Sequence, residues 1–240
     1  MKIAKFILKI KRKWMKLRLQ PIRVFCFHQV SEVFDKSTMW ECDWTQIDQF
    51  KNNILHLRES GVEFISLPEA HEKLKNDKMR CKKYAVLTAD DGWASMKNII
   101  PWLVEQEIPI TLFVNSDYLD GKHYQTRVTE KLLTHQNIIE LIEKYPQIVT
   151  IASHGKTHID ASLLSIDDFI IEVKAAEKIM KGYNKIGFYA FTYGHYTNQQ
   201  LFELRNEGLV PVLVDGKKNY TDDGVIHREC IDGQIIERAC

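Results

Sequence analysis

From Ile22 onward the chain alternates short apolar runs with stretches of helical periodicity. Ile22–Phe27 (IRVFCF) reads as a strand ending at His28. Over Trp44–Ser60, residues Ile47, Phe50, Ile54 and Leu57 share a face, which predicts a helix stopped by Gly61. Val62–Ser66 predicts the next strand, Leu67–Lys75 a short helix, and Tyr84–Thr88 (YAVLT) a strand running into Ala89-Asp90-Asp91-Gly92. A helix follows with Met96, Ile99, Ile100 and Leu103 inward, and with Pro101 early in it, where a missing N–H costs little. Ile108–Asn115 predicts a buried strand, 116–128 a long loop carrying Tyr118, His123, Tyr124 and Arg127, and Thr129–Lys144 a helix. Ile148–Ser153 predicts a strand delivering His154, and Ser165 with Asp168 fits a capping box opening a helix over Asp168–Met180. Ile186–Phe191, Asn198–Glu207 and Val210–Val214 continue as strand, helix and strand, and a last apolar run lies near Val225–Ile231.

Seven or eight strands alternating with helices leave two α/β architectures: an open doubly wound sheet, or a closed or nearly closed barrel. At 240 residues the chain suits one domain with a full core. The polar clusters Asp90/Asp91, His154/His158 and Tyr193/His195 each fall just past the C-terminal end of a different strand. In a barrel those ends converge on one mouth. No glycine-rich phosphate loop follows an early strand, which removes the common nucleotide-binding readings.

Charge divides the chain unevenly. The first 23 residues hold nine of the 33 Lys/Arg and no acid, so the remainder is acidic, with 24 basic against 32 acidic residues. An acidic body argues against a nucleic-acid partner. Ile3, Phe6/Ile7, Ile10, Trp14 and Leu17 recur at helical spacing among lysines and arginines. Residues 1–20 are therefore read as a short basic amphipathic helix suited to an anionic membrane surface, and 21–240 as the barrel domain. The apolar run at Phe6–Leu8 is too short for a signal-peptide core, and no stretch approaches the ~18 apolar residues of a membrane span. The expected location is cytoplasmic, with peripheral contact at the inner face of the membrane. Five cysteines without a Cys-x-x-Cys fit a reducing compartment and neither a disulfide scaffold nor a thiolate zinc site.

Adjacent carboxylates at Asp90 and Asp91 repel each other unless a cation intervenes. One can ligate a metal while the other stays available as a base. His154 and His158, four apart, can reach one metal if the segment between them turns helically. No Glu lies between them, so the His-Glu-x-x-His arrangement is excluded. Two His and one Asp leave open positions for water and substrate, as a catalytic centre requires.

These residues carry a resemblance. Thr88-Ala-Asp-Asp-Gly92 and His154-Gly-Lys-Thr-His158 are similar to the Thr-Phe-Asp-Asp-Gly and His-Ser/Thr-x-x-His motifs of the polysaccharide deacetylases, the NodB-homology or carbohydrate esterase family 4 proteins. FCFHQVS at 25–31, then QFKNNILHLRESG and VEFISL, resemble the entry segment of the biofilm-polysaccharide N-deacetylase branch, so the likeness runs from residue 22 through most of the chain. It implies a distorted (β/α)7 barrel, an incomplete TIM-barrel-like fold. It implies Asp90 as base and Asp91, His154 and His158 as ligands of a divalent metal, zinc by default, with Ni2+, Co2+ or Fe2+ suiting the same donors. The family's Arg-x-Pro-Tyr/Trp motif falls on Ala190-Phe191-Thr192-Tyr193: Tyr193 matches, while the Arg that steadies the base and the Pro do not. For the late family His that assists the leaving group, His227 is the positional candidate, with His28 and His195 as alternatives. Arg228 is a candidate to orient Asp90 or to bind sugar.

The resemblance implies removal of an N-acetyl group from an amino sugar in a glycan or in a lipid- or nucleotide-linked precursor. Water would be activated by Asp90, and the oxyanion would meet the metal and a backbone N–H near Tyr193. Trp93, Tyr118, Tyr124, Phe191, Tyr193 and Tyr196 are candidates for flat sugar-binding surfaces, with His195 and Arg228 as polar contacts. Two other readings stay open: a catalytically inactive family member that binds carbohydrate, and a hydrolase of another small amide on the same barrel.

Overall fold

A computed structural model of the chain describes residues 19–32, 44–77, 80–121, 131–183 and 186–234. The N-terminal stretch 1–18, Cys42, His123, Tyr124, Arg127 and Cys240 lie outside the described residues. The strands are β1 (Ile22–Phe27), β2 (Gln29–Ser31), β3 (Trp44–Gln46), β4 (Val62–Phe64), β5 (Lys83–Ala89), β6 (Ile110–Val114), β7 (Val149–Ser153), β8 (Phe188–Ala190), β9 (Val210–Val214) and β10 (Ile226–Cys230). The helices are α1 (Ile47–Glu59), α2 (Leu67–Asn76), α3 (Met96–Glu105), α4 (His135–Lys144), α5 (Ile166–Met180) and α6 (Asn198–Asn206).

An eight-stranded sheet runs in the order β1-β10-β9-β8-β7-β6-β5-β4, and β1 also pairs with β5 along Ile22–Phe27, which closes the ring. Every pairing in it is parallel. The distortion is local to one edge of β5. There β4 takes residues 83–85 and β6 takes over from Leu87, so β4 flanks a ring made by the other seven strands. This is the expected distorted, TIM-barrel-like (β/α) barrel.

Strand alternation divides the core. Phe25, Leu87, Leu112 and Ile151 face outward onto α1, α3 and α4, with Phe50, Ile54, Ile99 and Ile138 packed over them. Val24, Val86, Phe113, Ala152, Ala190, Val212 and Ile226 face inward, together with Leu67, Ala70 and Leu74 of α2. Helix α2 is thus the floor of the barrel. The His71 ring meets Phe188 at the start of β8, Lys73 lies over Tyr84 near the start of β5, and the Leu74 carbonyl accepts the Asp222 N–H. Arg80, 2% exposed, ties this end together by donating to the carbonyls of Gln20, Lys73, Asp77 and Tyr220.

Four local expectations change. The helix expected over Trp44–Ser60 begins at Ile47, because Trp44–Gln46 extends as β3 beside β2. The helix expected over Thr129–Lys144 begins at His135, because Thr134 and Asn137 form a capping box and the preceding Leu132 and Thr134 bridge to Trp93 and Asp120. The helix expected from Asp168 begins at Ile166, capped by Ser165, whose side chain accepts the Asp168 N–H. Pro101 is the sixth residue of α3 rather than an early one, so its missing N–H falls opposite the carbonyl of the exposed Lys97. No helix among the described residues is long and apolar enough to cross a membrane.

Candidate metal centre and active site

Strand β5 delivers the two carboxylates. Asp90 continues the β1–β5 pairing through its N–H to the Phe27 carbonyl, at 3.0 Å. The backbone then turns left-handed at Asp91 (φ 67°) and Gly92 (φ 71°), which sends the two side chains different ways. A Cβ at Gly92 would lie 2.8 Å from Cγ1 of Val114, so the turn admits no larger residue without displacement.

Asp91 meets the two histidines. His158 Nε2 lies 3.0 Å and His154 Nε2 3.3 Å from the same oxygen, Oδ1, while Trp93 Nε1–H donates to Oδ2 at 3.3 Å. All three ligand candidates are buried, with donor atoms within 4.8 Å of one another. The segment between the histidines is not the helical turn that would let residues four apart share a metal. Left-handed residues at Gly155 (φ 82°) and His158 (φ 54°) bring the ring centroids to 5.6 Å instead. His154 Nδ1 lies 2.9 Å from the Ala190 carbonyl, which can only accept, so Nδ1 carries the hydrogen. A neutral His154 then turns its Nε2 lone pair toward Asp91 Oδ1, acceptor against acceptor. A cation between them resolves that opposition, and the donor set suits a divalent metal. A divalent-metal-binding cluster is therefore present in Asp91, His154 and His158.

Asp90 is held from the other side of the barrel. Arg228 of β10, 0% exposed, forks onto it: Nη1 to Oδ1 at 2.6 Å and Nη2 to Oδ2 at 2.8 Å. Nη1 also donates to Thr88 Oγ1 at 3.1 Å, the guanidinium lies 5.0 Å from the Phe113 ring centre, and the Cys26 thiol points at Asp90 Oδ2 from 3.4 Å. Burial pushes the Asp90 pKa up, and the Arg228 charge outweighs it, so the group is depressed and ionised. Arg228 thus orients Asp90 and has no surface left for a sugar. Ala190 of β8 offers Asp90 no such support, and the guanidinium that holds it comes from β10. Cys26, His28 and Asp90 also bring ligand atoms within 4.8 Å of one another. With Arg228 on both oxygens of Asp90, that group is the poorer cation site.

His28, just past β1, faces the same cavity. Its Nδ1 lies 2.6 Å from Asp232 Oδ2, and its backbone N–H donates to Oδ1 at 3.0 Å. Burial would lower the imidazole, but the Asp232 charge and hydrogen bond override it and push the pKa up to about 10. The cavity, about 250 Å³, is walled by these groups together with Tyr193, Phe191 and Val214. Tyr193 has left-handed backbone (φ 57°), is 56% exposed, and stands edge-on to His158 with centroids 4.9 Å apart.

Other candidates lie elsewhere. His227 alternates with Arg228 and so projects outside the barrel, where Asp215 and Asp223 take its two nitrogens at 2.8 and 3.0 Å; it does not reach the cavity. His195 is paired with Asp160 at 2.7 Å, and its exposed ring is not part of the cavity wall. Trp93 is 0% exposed and serves Asp91, so it offers no sugar platform. Phe191 borders the cavity but is buried, stacked on Phe169 and tilted against Tyr196, and the Tyr118 hydroxyl donates to the Thr157 carbonyl. Asp232, Cys26 and Glu172 were not singled out from sequence. Asp232 shares the position of the other polar clusters, just past a strand end, and that signal could have found it.

The polysaccharide deacetylase family profile matches residues 77–212. No curated protein sequence matches the chain significantly. Among solved structures, a de-N-acetylase from Aggregatibacter actinomycetemcomitans superposes with TM-score 0.74 at 18% identity, covering 92% of this chain and 97% of its own. IcaB from Ammonifex degensii (TM-score 0.73, 20% identity) and the deacetylase PplD from Streptococcus pyogenes (0.73, 19%) each cover 88% of this chain and 92% of their own. These likenesses establish the fold. The profile spans more than half of the chain and both the Asp90-Asp91 and His154/His158 motifs, so the chain belongs to the polysaccharide deacetylase family, and its buried Asp-His-His cluster supports metal-dependent deacetylation.

Proposed function

We propose that this protein removes an N-acetyl group from an amino sugar within a glycan or glycan precursor, releasing acetate and a free amine. The observation that carries the proposal is that one cavity holds an anchored carboxylate, Asp90, and a carboxylate-paired imidazole, His28, beside the ligand cluster. In our reading Asp91, His154 and His158 hold the metal, zinc by default, which supplies Lewis acidity toward the amide carbonyl. Asp90, kept ionised and aimed by Arg228, takes the proton of the attacking water. His28, kept protonated by Asp232, delivers a proton to the departing amine. Tyr193 lends its ring as a wall for the sugar and its main chain to the developing oxyanion. The same pairings argue against a binding-only descendant, since such a protein has no use for a buried Arg–Asp fork or a carboxylate-bound imidazole facing the cavity.

The test couples metal content to acetate release on N-acetylglucosamine oligomers, with Asp90→Asn and His154→Ala. Asp90→Asn is expected to keep the metal and lose activity by at least ~10²-fold, and His154→Ala to lose the metal. Metal-replete protein that releases no acetate from any N-acetylated sugar would overturn the activity. Failure of the wild type to bind any divalent metal would overturn the site.

A further inference from the structure

We infer that Glu172 of α5 is a positioning residue for the metal ligands, acting through the loop that joins them; this rests on the metal-centre reading above. The loop 154–158 has no regular structure of its own, yet it must hold two imidazoles at one carboxylate oxygen. Three donors from it converge on a single atom, Glu172 Oε1: the Lys156 N–H at 3.1 Å, the Thr157 N–H at 2.6 Å and the Thr157 hydroxyl at 2.7 Å.

The carbonyls of the same loop are taken in order by the segment that leaves β6. Asn115 Nδ2–H donates to the His154 carbonyl, the Ser116 N–H to Gly155 at 3.2 Å, the Asp117 N–H to Lys156 at 3.1 Å, and the Tyr118 hydroxyl to Thr157 at 3.2 Å. Lys156 Nζ adds an ion pair to Asp117 at 2.9 Å. One side of the loop is thus matched to four consecutive residues, and the other is gathered by one carboxylate oxygen.

The network holds the loop as far as Thr157, the residue before His158, whose backbone is left-handed, a conformation uncommon outside glycine. Gly155 is itself left-handed, φ 82°, and a Cβ there would lie 3.1 Å from the Tyr189 hydroxyl. Because all three donors meet one oxygen, the requirement is for an acceptor at that point rather than for a charge. Glutamine can supply it and alanine cannot.

The experiment is a Co2+ titration of the full chain followed by its visible spectrum, with thermal unfolding of the metal-free protein alongside. Glu172→Ala is expected to weaken Co2+ binding by ~10–100-fold and to change the spectrum, as losing support around metal ligands does. Glu172→Gln is expected to stay near wild type in both. If Glu172→Ala does not fold, Thr157→Val, which removes one of the three donors, must show a smaller loss in the same direction. Unchanged Co2+ affinity and spectrum in whichever of these two variants folds overturns the inference, as does a Glu172→Gln variant as impaired as Glu172→Ala. Wild-type protein that takes up no Co2+ overturns the metal-centre reading itself and the inference with it.

Discussion

Asp232 touches no substrate in the proposed reaction, yet it decides the protonation of His28. A buried imidazole left alone would lose its proton readily, and chiefly the carboxylate 2.6 Å away, with smaller contributions from the Asp91 and Asp90 charges, reverses that, lifting the pKa to about 10. The raised value has two consequences of fixed sign. The stabilisation from the pair is complete below the ordinary value of 6.5 and is lost as the pH rises through about 10. Catalysis that needs the proton follows the same alkaline limb. Asp232→Asn keeps the shape and removes the charge, so the limb of kcat/KM should fall to or below the ordinary imidazole value, costing about 30-fold at pH ~8. A pH–rate profile of the two proteins checks this, and an unmoved limb would assign the proton to another group. At this scale the ligand cluster was legible in sequence, because carboxylate and imidazole pairs just past strand ends have few other uses, while the division of Asp90 and Asp91 into base and ligand came from the resemblance. Their supports were harder to read. Arg228 and Asp232 reach Asp90 and His28 only through the closure of β10 onto β1, from positions about 140 and 200 residues away in sequence. His227 was the more conspicuous residue, and strand alternation turns it outward.

The helices followed from periodicity because each buries one face, as Ile47, Phe50, Ile54 and Leu57 do on α1, and the strands from short apolar runs, because a parallel barrel buries both faces, as along Ile110–Val114. The turns between them did not. Among the described residues, left-handed backbone outside glycine occurs at Asp91, Glu107, His158 and Tyr193, and three of these four line the cavity. Periodicity carries no information about such conformations, which is why a helical turn was the only route to a shared metal that the His154–His158 spacing suggested. The β5–α3 turn shows what they demand. Asp91 and Gly92 are left-handed in succession, and the second has Val114 against the place a side chain would take. Gly92→Ala combines the left-handed penalty with that contact and should destabilise the fold by about 2–4 kcal/mol. It should also weaken metal binding, since Asp91 hangs from the same turn. The check is a urea transition with a lowered midpoint and unchanged slope, paired with a metal titration. Wild-type stability would mean that Val114 yields freely and that the turn tolerates a side chain.

At the scale of the whole barrel, stability and chemistry occupy opposite ends. The mouth carries charged groups, left-handed backbone and a cavity, none of which adds apolar packing. The floor carries α2, whose Leu67, Ala70 and Leu74 complete the interior cluster, and Arg80, which gathers four carbonyls beneath it. Leu67 is 0% exposed, and truncating it removes apolar contacts without approaching the ligand cluster. Leu67→Ala should therefore cost about 2–5 kcal/mol. At ~2–4 °C per kcal/mol for a domain of this size, the melting temperature should fall by roughly 4–20 °C. Metal affinity, kcat and KM measured well below the new transition should not change, because the closed ring of parallel strands separates the two ends. A shift in metal affinity on Leu67→Ala would show instead that packing at the floor reaches the mouth along the strands. The barrel would then have to be treated as one coupled element, with α2 setting the spacing of the strands that deliver Asp91, His154 and Arg228.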